Sequence, residues 1–536
     1  MHPVETYLRE LQTSHATGAV VPETAYYGHL QNLLNIVGST VEPKLICAIG
    51  LKNQGAGLPD GGLFSSRQID TNGNIPVESV PAYGAIEIKS ADADVREVAR
   101  SEQVKRYVDQ YGQVLVTNYR EFLLVEKREE GIAFQEQFTL VESGSELWSI
   151  SPSGFAAASG ERLLDYLRRA FLRRAPLTNP RDVSWFLASY AREAKRRVDA
   201  SELDGLRLFR ESLEEALEIE FEGSDGLEFF RSTLVQTLFY GVFSAWVLWS
   251  RREGSSSSES KFDWRTAAFY LHVPVLRRLF HIVSDPGQLE ELRLDELLDW
   301  AGDTLNRIVP DEFFERFNER LAVQYFYEPF LEAFDPDLRR RLGVWYTPPE
   351  VVKYMVARVD SVLRNDLGIE DGLADQRVYV LDPACGTGTY LVEVLEQIAT
   401  TLAEHGEDAL LSTDLKKAAM ERVFGFELLP APFVVAHLQL GLFLQSRGAP
   451  LSHAEHERVG VYLTNSLGGW NEEEHPTLPF QELQQEREAA EQIKREAPIL
   501  VVLGNPPYSG YAGIAIGEER ELTDAYKETV NAPKPN

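Results

Sequence analysis

The sequence predicts an α/β multidomain chain, on three observations. Short apolar runs followed by amphipathic stretches recur towards both ends. A long middle segment has helical spacing and few turn residues. A chain of 536 residues also exceeds what one hydrophobic core normally serves. The expected domains are 1–155 (α/β), 156–335 (a helical connector) and 336–536 (a doubly wound, Rossmann-like α/β domain).

In the first region, Glu23 opens a stretch with helical character that runs through Tyr27 and His29. Leu58-Pro59-Asp60-Gly61 reads as a turn, and Tyr83-Gly-Ala-Ile86-Glu87-Ile88-Lys89 as a strand. Glu87 and Lys89 alternate with Ile86 and Ile88, so both polar side chains share one strand face. With Asp60 on a neighbouring strand, two carboxylates and a lysine converge. Asp60 and Glu87 then suit a Mg2+ ion that activates water, with Glu23 as a third carboxylate. Lys89 is placed to stabilise charge on a phosphate. Gln103 and Tyr107 stand at i and i+4 on one helical face. The runs Val114–Thr117 and Phe122–Val125 read as further strands.

The middle region shows helical spacing over 203–217, 227–249 and 269–283, with a Ser-rich loop at 254–258. Tyr325 to Phe330 is expected to pack this connector onto the last domain. No phosphate loop is visible.

The last region carries four strand ends in order. Val378–Leu381 is a buried-strand pattern, followed at once by Asp382-Pro383-Ala384-Cys385-Gly386-Thr387-Gly388 and a helical stripe of Leu391, Val394, Leu395 and Ile398. Strand, glycine turn and helix form a nucleotide-binding unit, although neither a dinucleotide fingerprint nor a phosphate loop is complete. A second strand ends in Glu427, whose carboxylate suits two ribose hydroxyls. A third ends in Thr464-Asn465-Ser466 and suits the edge of an adenine ring. The fourth, Ile499–Leu503, leads into Asn505-Pro506-Pro507-Tyr508. The Asn505 oxygen and the Pro506 carbonyl can accept hydrogen bonds from one exocyclic amine, and Tyr508 can stack on the ring that carries it.

These motifs resemble an S-adenosylmethionine-dependent DNA adenine-N6 methyltransferase with its cofactor motifs preceding the catalytic one. The resemblance implies that Tyr346 and Thr347 line the methionine end of the cofactor. Asp382 and Gly386 would hold its amino acid moiety, and Glu427 its ribose. Asn465 stands where an Asp is common in this family. Asp60, Glu87 and Lys89 resemble the core of the PD-(D/E)xK nuclease fold, and Gln103 with Tyr107 its trailing helix. The whole order resembles type IIG restriction-modification enzymes and the type ISP group without its helicase. That implies double-stranded DNA as partner, with S-adenosylmethionine and Mg2+ as cofactors. The alternatives are a modification-only defence methyltransferase with an inactive N-terminal domain, or an RNA or protein amide methyltransferase.

Only 28 residues follow Tyr508. The expectation is therefore a methyltransferase domain incomplete at its C-terminus, either a truncated chain or one half of a split enzyme with target recognition on a separate polypeptide. The net charge of −30 is unusual for a DNA enzyme. A basic stretch at Arg168, Arg169, Arg173, Arg174, Lys195, Arg196 and Arg197 reads either as a DNA contact or as a solvated helix face. Two cysteines, Cys47 and Cys385, form no metal or disulfide pattern. No signal peptide or membrane-length apolar run is visible, so a cytoplasmic enzyme is expected.

Overall fold

The computed structural model describes residues 1–17, 24–50, 59–68, 75, 80–128, 131–173, 176–201, 207–221, 223–252, 261–271, 273–283, 292, 294–317, 326–335, 347–404, 410–452, 457–469, 477–506 and 514–515. The chain forms two compact units, Met1–Pro176 and Leu177–Asn536.

The first unit is built on a six-stranded sheet. Its strands are β1 (Leu45–Ile49), β2 (Gly61–Ser65), β3 (Ala85–Ile88), β4 (Gln113–Thr117), β5 (Glu121–Arg128) and β6 (Gly131–Thr139), lying side by side in chain order. β3 and β4 run parallel and the other neighbours antiparallel. A parallel pair needs a crossover, here the helices Val95–Ala99 and Glu102–Tyr111. The second begins on Ser101, whose hydroxyl accepts from Val104 N, and stops at Gly112, where φ is 77°. Its buried stripe of Val104, Tyr107, Val108 and Tyr111 packs on Val114, Val116, Leu123 and Val125.

The unit extends to Pro176 instead of the expected boundary at 155. The helix Glu161–Leu172 buries Leu163, Tyr166, Leu167 and Phe171. It is tied to β6 by Tyr166 Oη donating to Glu136 O at 3.1 Å and by the Arg169–Glu136 ion pair. The described part of the basic stretch is paired with acids. Arg168 pairs with Asp165 and Arg173 with Glu126. Further on, Lys195 pairs with Asp199, and Arg196 and Arg197 pair with Glu193. Arg174 lies outside the described residues. Cations neutralised this way support the helix-face reading over a phosphate contact.

The second unit contains a parallel sheet and a large helical layer. The sheet strands are β8 (Tyr379–Asp382), β9 (Val423–Glu427), β10 (Val461–Leu463) and β11 (Ile499–Val502), in the spatial order β10-β9-β8-β11. The order reverses between β8 and β11, which is where a doubly wound sheet opens a crevice beyond its carboxyl ends. A short antiparallel pair joins β7 (Glu220–Phe221) to β12 (Ile514–Ala515).

The described helices from 180 to 334 belong to this unit. The 30-residue helix Gly223–Arg252 packs against Pro430–Ser446, which flanks the sheet. Phe243 stacks on Phe326 at 3.5 Å, and Tyr240 contacts Tyr327 and Phe330. Phe326, Tyr327 and Phe330 thus pack in the helical layer, and Tyr327 also lies near Glu427 at the sheet edge, whereas Tyr325 is outside the described residues. Among the described residues no helix is long and apolar enough to cross a membrane.

Candidate active sites

The carboxyl edge of the parallel sheet gathers the expected strand-end residues. Asp382 closes β8 and is 1% exposed. Its Oδ1 accepts from Ala384 N at 3.1 Å, while Oδ2 is buried with no hydrogen-bond partner among the described residues. Burial pushes its carboxyl up from 3.8 to about 7. Gly386 and Gly388 turn the chain with φ of 55° and 86°, conformations that L side chains adopt only under strain. Cys385 packs beneath this turn: a Cβ on Gly425 of β9 would lie 2.9 Å from its sulfur. Burial raises its thiol pKa well above normal, so it acts as a small packing group.

Glu427 closes β9 and spans the crevice. Its Oε2 accepts from Gly386 N at 2.8 Å and its Oε1 from Leu429 N at 2.8 Å. Burial still pushes this carboxyl up to about 7, against the pull of those bonds. The Leu428 amide adds a third backbone hydrogen bond, so the carboxyl keeps only part of its acceptor capacity for a further donor. Tyr327, from the helical layer, is close enough that Glu427 adds to the burial raising its phenol pKa.

Beyond β10, Asn465 Oδ1 accepts from Leu467 N at 3.0 Å, and its Nδ2 is buried with no partner among the described residues. Ser466 donates to the Pro383 carbonyl, tying this loop to the glycine turn. The buried Lys494 ammonium donates to Thr464 Oγ1, Asn465 O and Gly468 O at 2.6–2.9 Å. It also lies 5.4 Å from the Phe426 ring centre. Sequence reasoning missed Lys494 and Tyr327. Each acts on residues distant in the chain, and neither sits in a local motif.

At the fourth strand end, Leu503 N donates to Leu381 O at 2.9 Å, extending β11 along β8. A Cβ on Gly504 would fall 2.3 Å from Asp382 Oδ1, so glycine lets the two strand ends close together. Asn505 follows, and its Nδ2 donates to Thr347 Oγ1 at 3.0 Å. The carbonyl oxygen is the acceptor end of the same amide. Thr347, Asp382, Gly386, Glu427, Asn465 and Asn505 thus come to one sheet edge. Pro506 is described and exposed, whereas Tyr346, Pro507 and Tyr508 lie outside the described residues.

The first unit gathers a second cluster at the β2–β3 end. Asp60 precedes Gly61, and the register Gly61↔Ile86 carries it opposite Glu87. Asp60 is held by two donors, Tyr27 Oη at 2.9 Å to Oδ1 and Ile88 N at 2.8 Å to Oδ2. Lys89 Nζ sits 2.6 Å from Glu87 Oε1 and 3.9 Å from Asp60 Oδ2. Gln103 Nε2 donates to Tyr107 Oη at 2.9 Å. Burial raises the Tyr107 pKa, and the charges of Glu87 and Asp60 raise it further, which places its ring beside both carboxylates. Asp60, Glu87, Lys89, Gln103 and Tyr107 therefore form one neighbourhood. Tyr27 was missed, because only the folded helix Tyr27–Ser39 brings it to Asp60. Glu23 lies outside the described residues, and that helix begins after it. Among the described residues no three His, Cys, Asp or Glu side chains gather to hold a metal.

Residues 321–536 match the N-6 DNA methylase family. Over 188 residues, 33% of the chain, the sequence is 27% identical to the methylase subunit of the type I restriction enzyme EcoEI from Escherichia coli. The match covers 34% of that relative. In fold, the chain aligns over 98% of its length with 46% of the protein chain in a DrdV–DNA complex, at 19% identity and a TM-score of 0.43. It aligns over 71% with 24% of the ATP-dependent type ISP restriction-modification enzyme LlaBIII bound to DNA, at 20% identity and a TM-score of 0.46. The match spans less than half the length of each of these relatives.

Proposed function

We propose that the Leu177–Asn536 unit transfers a methyl group from S-adenosylmethionine to adenine N6 in DNA, and that the Met1–Pro176 unit is a Mg2+-dependent DNA endonuclease of the same restriction-modification system. The observation that carries the first part is the close approach of Gly504, just before Asn505, to Asp382 at the reversal of the sheet order, within a stretch that matches N-6 DNA methylases.

The residues fit the cofactor. The buried second oxygen of Asp382 is suited to a cationic amino group. Glu427 keeps acceptor capacity for a ribose hydroxyl. The Asn465 Nδ2 donor suits a ring-nitrogen acceptor, and Lys494 fixes its loop. When bound, S-adenosylmethionine supplies an electrophilic methyl group. The chain must then orient an amine whose lone pair is delocalised into its ring. The Asn505 oxygen and the Pro506 carbonyl accept the amine hydrogens and favour the pyramidal nitrogen of the transition state. The base has to leave the duplex to reach them, and Tyr508 is the proposed stacking surface. Asp60 and Glu87 would hold Mg2+ in the first unit, with Lys89 facing the scissile phosphate.

Transfer of tritiated methyl to DNA, RNA and protein in parallel tests the first part; incorporation into RNA or protein in preference to DNA would overturn it. The EcoEI relative is one subunit of a larger enzyme, in keeping with a second polypeptide for target recognition. The setting proposed is the cytoplasm, where the DNA substrate lies.

The two raised carboxyls set a pH dependence. In the folded protein burial pushes the Asp382 and Glu427 carboxyls up to about 7, from ordinary values of 3.8 and 4.5. Their contribution to stability is present below about pH 4 and is lost as pH rises through 7. A cationic amino group binds the ionised Asp382. Affinity for S-adenosylhomocysteine should therefore rise between pH 6 and 8, by up to about tenfold per pH unit below 7 for one coupled proton. Calorimetric titrations across that range check this; a flat profile would show that these carboxyls do not face the ligand's charge.

A further inference from the structure

The Lys89 ammonium is surrounded by oxygens. It lies 2.6 Å from Glu87 Oε1, 3.3 Å from the Ile88 carbonyl and 3.9 Å from Asp60 Oδ2. Two carboxylates and a backbone carbonyl are also the donor set a hard divalent cation takes. Mg2+ bonds oxygen at about 2.0–2.1 Å, so an ion among these atoms and an ammonium at its present distance from Glu87 would need the same space.

The oxygens are more buried than the lysine. Glu87 belongs to β3, and its side chain is 2% exposed. Asp60 is gripped by Tyr27 Oη and Ile88 N. The Lys89 side chain is 31% exposed and carries its charge on a flexible four-carbon stem. It can swing outwards, whereas the carboxylates cannot follow.

We infer that the Lys89 ammonium and the divalent cation compete for one set of oxygens, so that Lys89 holds down the metal affinity of the DNA-free enzyme. A DNA phosphate offers the ammonium another anionic partner. Drawing Lys89 off Glu87 and Asp60 frees them for the metal, and by reciprocity bound metal frees Lys89 for phosphate. The cluster is then charged with metal mainly when DNA is in place. This inference rests on the nuclease reading of the first unit.

The test is Mn2+ binding by titration calorimetry on the full chain, with Asp60→Asn/Glu87→Gln as the blank for unrelated sites. Without DNA, Lys89→Met should bind at this site about tenfold more tightly than the wild type, a typical coupling size. Lys89→Arg, which keeps the charge, should stay weak. A phosphorothioate duplex should tighten Mn2+ binding to the wild type and leave Lys89→Met unchanged. A melting temperature equal to wild type shows that Lys89→Met is folded. Equal or weaker binding by Lys89→Met overturns the competition and leaves the metal site standing. Binding by every variant that matches the blank overturns the competition and the metal site together.

Discussion

Asn505→Ala is expected to slow methyl transfer to DNA by about 10²–10³-fold, the loss typical of removing one preorganised polar group from a transition state. Affinity for S-adenosylhomocysteine should stay close to wild type. The separation follows from geometry. Asn505 is tethered through its Nδ2 to Thr347 Oγ1 at 3.0 Å, which turns its oxygen into a positioned acceptor. Two residues proposed for the cofactor are anchored elsewhere, Asp382 on Ala384 N and Glu427 on Gly386 N and Leu429 N, and Thr347 is the one cofactor-side residue that the change touches. Alanine removes the acceptor and the tether without disturbing those anchors. Single-turnover transfer and calorimetry on the same preparation give both numbers. Unchanged transfer would remove Asn505 from the chemistry. Equal loss of binding and rate would make it a structural residue of the pocket.

The second large effect belongs to the first unit. Asp60→Ala is expected to abolish Mg2+-dependent plasmid cleavage by at least about 10³-fold, since a metal supplies several kcal/mol of transition-state stabilisation. Asp60 accepts two hydrogen bonds and lies opposite Glu87, so its loss removes one proposed ligand and unfixes the other side of the cluster. Methyl transfer should be retained, because the proposed transfer residues lie in the separate unit Leu177–Asn536. Agarose-gel nicking assays at saturating Mg2+ decide this. Cleavage that survives Asp60→Ala places any nuclease activity elsewhere and favours the modification-only alternative.

The strand ends of the second unit were legible because their signals are local. An apolar run places Asp382, Glu427 or Asn505 at a strand terminus, and the following glycine or proline stops the strand. Boundaries were less legible. The sequence suggests strands from Glu421 and Val459, whereas β9 begins at Val423 and β10 at Val461, since hydrogen bonding to a neighbour decides where pairing starts. β1 and β6 went unread: they are edge strands, where a weak pattern suffices because one side needs no partner. The helices Arg207–Leu217, Gly223–Arg252 and Pro274–Val283 were visible as helices, but not their destination. An apolar helix such as Gly223–Arg252 shows that it is buried, not against which neighbour.

By itself the sequence determined the element types around each motif, the order of the strand-end motifs and the chemical character of each motif. These depend on residues within about one turn or one strand of each other. Only the tertiary structure decided the rest. It set the β10-β9-β8-β11 order that brings Asp382 and Asn505 together, and the Lys494 clamp on the Asn465 loop. It also drew Tyr27 to Asp60 and seated the Lys89 ammonium among the oxygens proposed for a metal. Each of these joins elements that the chain's local pattern does not pair. Strand order and side-chain contact are settled by which faces bury together, and no single segment carries that information.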